Sequence, residues 1–413
     1  ADGKGNELEL SNATFTTLLH DPVPEVRKSA FHQYYAQYES HANTLAATLS
    51  GSNERDAYAA KVRCHPSAVE AALFADNVPL AVYDQLIAAV RAHLPIVHRY
   101  YELRRRLLGL DEIHHYDCYV PLVPELEQKH TWAEAIQEIT ASLQPLGTEY
   151  CDQLEAGLRG RWCDRYPNVG KQSGAFSSGT YDSDPYILMN FQEDVIEHVF
   201  TLAHEAGHSM HTRLSADAQP FQYAGYTIFV AEVASTFNEQ LLTRHLLSKA
   251  HSPKQRAAII SREIDAIRGT IIRQTMFAEF ERMSHSSVES GEPLTLEKIR
   301  TIYRELLTAY FGSGFAIDEA LELESLRIPH FYRAFYVYKY ATGLSASIAL
   351  SKRVTEGGPK ELAAYLQFLR GGCSKWPLDL LRDAGVDLET PEPVGLALTR
   401  FGELVEELES LLG

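Results

Sequence analysis

Residues 193–213, EDVIEHVFTLAHEAGHSMHTR, leave this chain few structural options, because His204, Glu205 and His208 stand at a spacing that only one backbone shape makes useful. Val195, Val199, Leu202, Ala203 and Ala206 give a helix-compatible apolar face, and Glu193 and Asp194 stand where acidic residues suit a helix N-terminus. The stretch therefore reads as a helix. Residues four apart on a helix lie one above the other, so the imidazoles of His204 and His208 can turn towards one ion. Glu205, offset by one position, brings a carboxylate beside that ion, within reach of a proton on bound water, and is the candidate general base. Two core histidines on a buried helix would look the same. A catalytic zinc needs three protein ligands and an open position for water, so a third ligand decides between the readings.

Glu232 is that candidate, 24 residues beyond His208 (232 − 208), in GYTIFVAEVASTFNEQLLTRHLL. This run reads as a second helix, antiparallel to the first across the turn-prone SADAQPF at 215–221. Glu232, Ser235, Thr236 and Glu239 share one face of it, so the last three can orient the ligands from behind. An arbitrary helical Glu is a solvated surface residue, but Val230, Ala231, Val233 and Ala234 argue for burial with a partner. The sequence thus predicts one zinc ion per chain on His204, His208 and Glu232.

The runs LAHEAGHSMH and VAEVASTFNE resemble the oligoendopeptidase F group of the thimet-oligopeptidase-like zinc metallopeptidases. GKQSGAFSSG (170–179) and PYILMNF (185–191) upstream are similar too, as are RIPHFYRAFYVYKYATGLSAS (327–347) and FLRGGCSKWPLDLLRDAGVDL (368–388) downstream. The similarity runs from about residue 12 to near the C-terminus. It implies the same three ligands, Glu205 as base, and His330 with one or more following tyrosines as transition-state stabilisers. It also implies a deep channel that admits short peptides and excludes folded proteins. Members of the group carry more helical sequence at the N-terminus, and this chain begins with Ala1, so a trimmed N-terminal region is expected.

Peptide hydrolysis passes through a tetrahedral oxyanion that needs donors besides the metal, and a histidine and a tyrosine hydroxyl suit the task. Pro329 can start a helix with His330 in its first turn. On such a helix Tyr336 and Tyr340 share a face, with Tyr338 opposite and Tyr340 about 80° round from His330. The alternative is an aromatic core stripe, since Tyr332, Tyr336, Tyr338 and Tyr340 cannot all be catalytic. Tyr340 is favoured, with Tyr336 second.

Elsewhere the pattern is helical. Residues 11–110 show no strand-like alternation and read as a helical array broken at Pro22, Pro66 and Pro79, with the Arg104–Arg105–Arg106 triplet as a solvated face. Residues 114–125 form a loop, and a helix follows from about Thr131 to Gln144. His114, His115 and Asp117 make a poor metal set, because adjacent side chains on an extended segment point apart. The segment 186–191 reads as a short strand entering the motif helix, whose exposed edge could pair with a substrate backbone. Two helical runs fill 253–310, the glycines of 308–319 suggest a mobile lip over the site, and FGELVEELESLL closes the chain as an amphipathic helix.

The chain's 413 residues and 45% hydrophobic content suffice for a large core in two or three subdomains, and no apolar run is long enough to span a membrane. A net charge of −17 argues against nucleic acid as a partner. The five cysteines, an odd and scattered set, read as reduced thiols, and the polar start shows no signal peptide, so a cytoplasmic protein is expected. The expected fold is mainly α: a two-part helical metallopeptidase with a catalytic helix bundle and a small β-sheet beside the zinc site, enclosing a deep substrate channel. Residues 1–150 form an N-terminal helical region and 151–413 the catalytic domain. The expected activity is endopeptidase cleavage of short peptides. The alternatives are a zinc carboxypeptidase, which needs a cation for the substrate's free carboxylate, and a non-catalytic peptide-binding scaffold with a vestigial metal.

Overall fold

Six helices take up the periodic sequence before residue 110: Asn12–Leu19, Pro24–Ser40, Ala42–Val62, Ala68–Phe74, Leu80–Ala92 and Leu94–Leu107. Their limits follow local chemistry. Ser11 and Ser67 cap two of them by accepting the backbone N–H of Thr14 and Glu70, and Pro24 stands in the first turn of another. The computed structural model describes residues 3, 5, 8–123 and 129–413, so the end of the expected 114–125 loop lies outside the described residues.

These helices do not form a free-standing array. Val97, Tyr100, Tyr101 and Leu103 of the sixth helix join one core with Ile264, Phe280, Tyr303 and Phe401 from the far half of the chain. Burial of each such side chain stabilises by roughly 1.5–3 kcal/mol relative to exposure. Arg104 departs from the expected solvated face. It is buried, and its guanidinium donates to the carbonyls of Asp117 and Val120 at 2.9 and 2.6 Å, satisfying loop oxygens that would otherwise be stranded in the interior. Arg105 and Arg106 remain in exposed ion pairs with Glu102 and Glu409.

Sheet is sparse among the described residues. Cys163–Asp164 pairs parallel with Tyr186–Leu188, which pairs antiparallel with Phe176–Ser178. The expected strand at 186–191 is therefore present but central, not an edge, because the two-residue strand beyond it covers one side. The edge nearest the motif helix is Phe176–Ser178, where Ser177 Oγ lies 2.8 Å from Ser209 Oγ. The glycine segment after Phe311 is likewise not a free lip. Gly312 takes a positive φ of 83° against the ring of His98, and Phe315–Ala316 pairs with Ile113–His114.

Two of the later helices carry the candidate ligands. Ile196–Ala218 carries the histidine motif and Ile228–Lys249 carries Glu232. A long run from Pro253 passes through a π segment at Arg268–Ile272 into the helix Arg273–Glu289. Tyr338–Glu356 packs beside the Glu232 helix, and Glu392–Leu412 closes the chain.

Candidate metal centre

Gly207 sets the geometry of the centre. A Cβ there would lie 2.6 Å from both the Ala234 carbonyl oxygen and the Ser235 Cα, so only glycine lets the motif helix press backbone to backbone on its neighbour. Asn238 ties the same crossing by donating its side-chain amide to the Ala203 carbonyl at 3.1 Å. Positions 203 and 207 of one helix thus meet 238 and 234 of the other, which makes the pair antiparallel, as expected from sequence.

At this crossing His204 Nε2 and His208 Nε2 stand 3.2 and 3.6 Å from Glu232 Oε2, and the three donor atoms all lie within 4.8 Å of one another. Among the described residues they form a cluster able to hold a metal ion. His204 Nδ1 lies 2.8 Å from Glu239 Oε1. A carboxylate only accepts, so Nδ1 carries the hydrogen and Nε2 is the atom left to face an ion. Glu239 is itself held by Arg262, whose Nη2 is 2.9 Å from Oε2 and whose guanidinium lies over the Phe200 ring. Ser235 donates to Glu232 Oε2 at 3.1 Å.

Charge in the cluster shows what it suits. Burial alone would lower the His204 pKa, but the carboxylates of Glu232 and Glu239 outweigh it and raise it to about 10. Glu232 shows the converse: burial pulls upward, and His204 and His208 hold it well below the usual carboxylate range. Two acids around one imidazole thus draw positive charge to the point where three lone pairs meet, which is the electrostatics of a divalent cation site. Glu205, one position on, is buried. Burial pushes its pKa up, against the charges of His204 and His208 and a backbone hydrogen bond from Ser177. A desolvated carboxylate held beside a cation is suited to accept a proton.

The helix Tyr338–Glu356 brings in a second set. A Cβ on Gly343 would stand 3.7 Å from that of Glu232, so Tyr340, one turn earlier, is carried to the same place. Here the structure corrects the sequence reading. His330, Tyr336 and Tyr340 do not share a helix: Pro329–Tyr332 is a short 3₁₀ turn, Phe335 adopts a left-handed φ of 55°, and the helix begins only at Tyr338. The fold-back nonetheless brings the three together. Tyr340 Oη is 3.4 Å from His330 Nε2, Tyr336 stacks near the His330 ring at 6.0 Å, and the two tyrosine rings stand edge to face at 5.3 Å. Burial, then Tyr336, then the Glu232 carboxylate raise the Tyr340 hydroxyl well above its usual range, so it remains a donor. Tyr338 is buried on the other side against Tyr83.

Residues 17–399 match the model of peptidase family M3. The chain belongs to this family. The Bacillus subtilis oligopeptidase PepF is 46% identical over 411 residues, which cover this whole chain but 61% of that protein. The oligoendopeptidase F homolog of Borreliella burgdorferi is 40% identical, with 99% of this chain and 70% of that one aligned. The crystal structure of oligoendopeptidase-F from Enterococcus faecium superposes with a TM-score of 0.82 at 34% identity, covering 99% of this chain and 67% of the other. No single helix among the described residues of this M3 chain is long and apolar enough to cross a membrane.

Sequence reasoning missed several parts of this M3 site. Gly207 stood in plain view between the two histidines, and its need for a close helix approach was a readable signal. Asn238 and Ser177 lie in runs that carry the resemblance, but their contacts, like that of Arg262, were not readable, because they span 23 to 35 residues of chain.

Proposed function

We propose that this chain is a zinc-dependent endopeptidase that cleaves short oligopeptides. The observation that carries the reading is the convergence of His204 Nε2, His208 Nε2 and a Glu232 oxygen on one point, with the buried Glu205 carboxylate next to it on the chain. Two imidazoles and one carboxylate are a donor set that suits zinc. One zinc ion per chain, held by His204, His208 and Glu232, would supply Lewis acidity to the scissile carbonyl and to the attacking water. Glu205 takes the proton from that water and passes it to the leaving amine. Tyr340, with His330 beside it and Tyr336 behind it, donates to the oxygen that gains charge as the carbonyl becomes tetrahedral. The names of the relatives, oligopeptidase and oligoendopeptidase, support short peptides as substrates. In this reading residues 1–150 wall the substrate's approach, residues 151–413 carry the chemistry, and the unpaired cysteines suit a cytoplasmic protein.

The test is hydrolysis of a fluorogenic peptide blocked at both ends. Wild-type protein should cleave it, and Glu205→Gln should keep its zinc while losing on the order of 10²–10⁴ in kcat. A Glu205→Gln protein as active as wild type would refute the mechanism.

One observation favours a second reading. Arg333 is exposed, has no carboxylate partner among the described residues, and places its guanidinium 4.4 Å from the Tyr336 ring centroid. That is a cation fit to grip a free α-carboxylate, as a carboxypeptidase requires. Cleavage confined to peptides with a free C-terminus, and lost in Arg333→Ala, would establish it in place of endopeptidase action.

A further inference from the structure

The segment that carries His330 and the tyrosines is fastened to the rest of the molecule by its inward residues. Phe331 packs on Phe277 and Phe280 of the helix Arg273–Glu289, with ring centroids at 5.6 and 4.9 Å. Phe335 enters a socket between His285 of the same helix, at 4.6 Å, and Tyr83, at 5.8 Å. Its backbone, in the left-handed conformation, donates N–H to Glu281 Oε1 at 2.8 Å. Glu281 is buried and its second oxygen has no hydrogen-bond partner, whereas the nearby Asp56 Oδ2 and His285 Nε2 face each other at 3.5 Å. The imidazole of His285 faces Asp56 through Nε2 and the Glu281 backbone oxygen through Nδ1, not the Glu281 carboxyl, which has no ion pair among the described residues. A carboxyl without a counter-ion in so dry a place needs a reason.

We infer that Glu281 is a positioning residue for the proposed reaction: its buried carboxyl holds the Phe335 turn and so sets His330 against Tyr340 and Tyr336. A non-glycine residue in a left-handed turn persists only where its surroundings over-determine it. Here the ring socket fixes the side chain and Glu281 fixes the backbone. The turn lies between His330 and Tyr336, so releasing it lets the 329–337 segment extend and separates the two. Burial raises the Glu281 pKa well above the usual carboxylate range and so favours the neutral form, with Asp56 adding to the effect and the Phe335 N–H opposing it. A neutral acid has the shape and acceptor of an amide. Glutamine is therefore a faithful replacement, whereas methionine fills the volume and leaves the Phe335 N–H without an acceptor.

The inference rests on the oxyanion role proposed above for His330 and Tyr340, so its test includes a readout that needs no turnover. Full-length zinc-loaded protein with ¹³C-labelled histidine is compared as wild type, Glu281→Gln and Glu281→Met, with the His330 resonance assigned by its loss in His330→Ala. Expected results are a His330 resonance that moves in Glu281→Met and stays in Glu281→Gln. With the blocked peptide, Glu281→Met should lower kcat by roughly 100-fold, the scale of an ångström's misplacement, at unchanged KM and zinc content. Glu281→Gln should restore wild-type kcat. In a His330→Ala, Tyr340→Phe background, Glu281→Met should cost nothing further, whereas a general structural defect would multiply the loss. If Glu281→Met does not fold, Glu281→Asp, which withdraws the acceptor by one methylene, carries the same expectations. An unmoved His330 resonance, or a full loss in the double-variant background, overturns the inference. A wild-type protein that cleaves no peptide refutes the proposed function and leaves the resonance test standing.

Discussion

His204 has two nitrogens and two acids, and the assignment of each acid separates binding from support. Glu232 faces Nε2 and Glu239 holds Nδ1. Because Glu239 is anchored in turn by Arg262, it fixes both the tautomer and the tilt of the ring. Glu239→Gln keeps the size of the side chain, but its amide can turn an N–H towards Nδ1 in place of an acceptor. It should weaken zinc binding roughly 10- to 100-fold while leaving kcat at saturating zinc much closer to wild type. Competition against a chromogenic chelator measures the first and steady-state kinetics the second. An unchanged zinc affinity would remove Glu239 from the support of the metal centre. The residue was legible in the sequence, since its i+7 offset from Glu232 put it on the same face. Arg262 was not, because nothing local distinguishes it from Arg256 of the same helix, which pairs instead with Glu407.

The two helices that build the centre meet through an absent side chain. Gly207→Ala inserts a methyl group 2.6 Å from the Ala234 oxygen and the Ser235 Cα, both backbone atoms that cannot rotate away. The helices must part by a few tenths of an ångström or more, which costs about 1–3 kcal/mol in a packed core. The same displacement carries Glu232 away from both histidines. Thermal unfolding and zinc affinity should therefore fall together, and a variant that lost stability yet bound zinc normally would show that the crossing does not set the ligand distances. At this scale long elements were read well, because apolar spacing over many residues decides them: the motif helix, its antiparallel neighbour and the helical character of residues 11–110 follow the pattern, although the motif helix runs on to Ala218 in the expected turn and the N-terminal runs also break at His41 and His93. Short elements were not. The two-residue strand Cys163–Asp164, which converts the expected edge into a central strand, has no periodicity to detect. The run from Pro329 to Tyr340 is compatible with a helix in isolation. It breaks because Phe335 is held by Glu281, 54 residues earlier in the chain (335 − 281).

Across the whole molecule, a buried acid joins segments that sequence separates. Glu324 accepts from Arg273 at 2.5 Å, Arg327 at 2.8 Å and Tyr303 at 2.6 Å, and Arg327 reaches on to Tyr35 in the second helix. His115 lies in the same interior, its Nε2 3.9 Å from Glu324 and its ring among Phe31, Tyr119 and Phe311. Burial is the main cause that pushes the His115 pKa down to about 3. Glu324 pulls it upward, and Arg273, Arg327 and Arg268 add to the lowering. The folded pKa is thus below the ordinary value of 6.5, so between 6.5 and about 3 the unfolded chain binds a proton that the folded chain refuses. Stability must fall as pH falls through that window, by about 1.4 kcal/mol per pH unit from this one histidine. Glu324 is also depressed, since Arg273 and Arg327 outweigh its burial, and it adds to the loss below the ordinary carboxylate range. His115→Phe suits the aromatic surroundings and cannot titrate. Its denaturation midpoint should decline less steeply than that of wild type from pH 6.5 to 5, with the two curves regaining the same slope below about pH 3. Parallel curves through the upper window would mean that His115 takes up its proton in the folded protein, and that this interior is wetter than its packing implies.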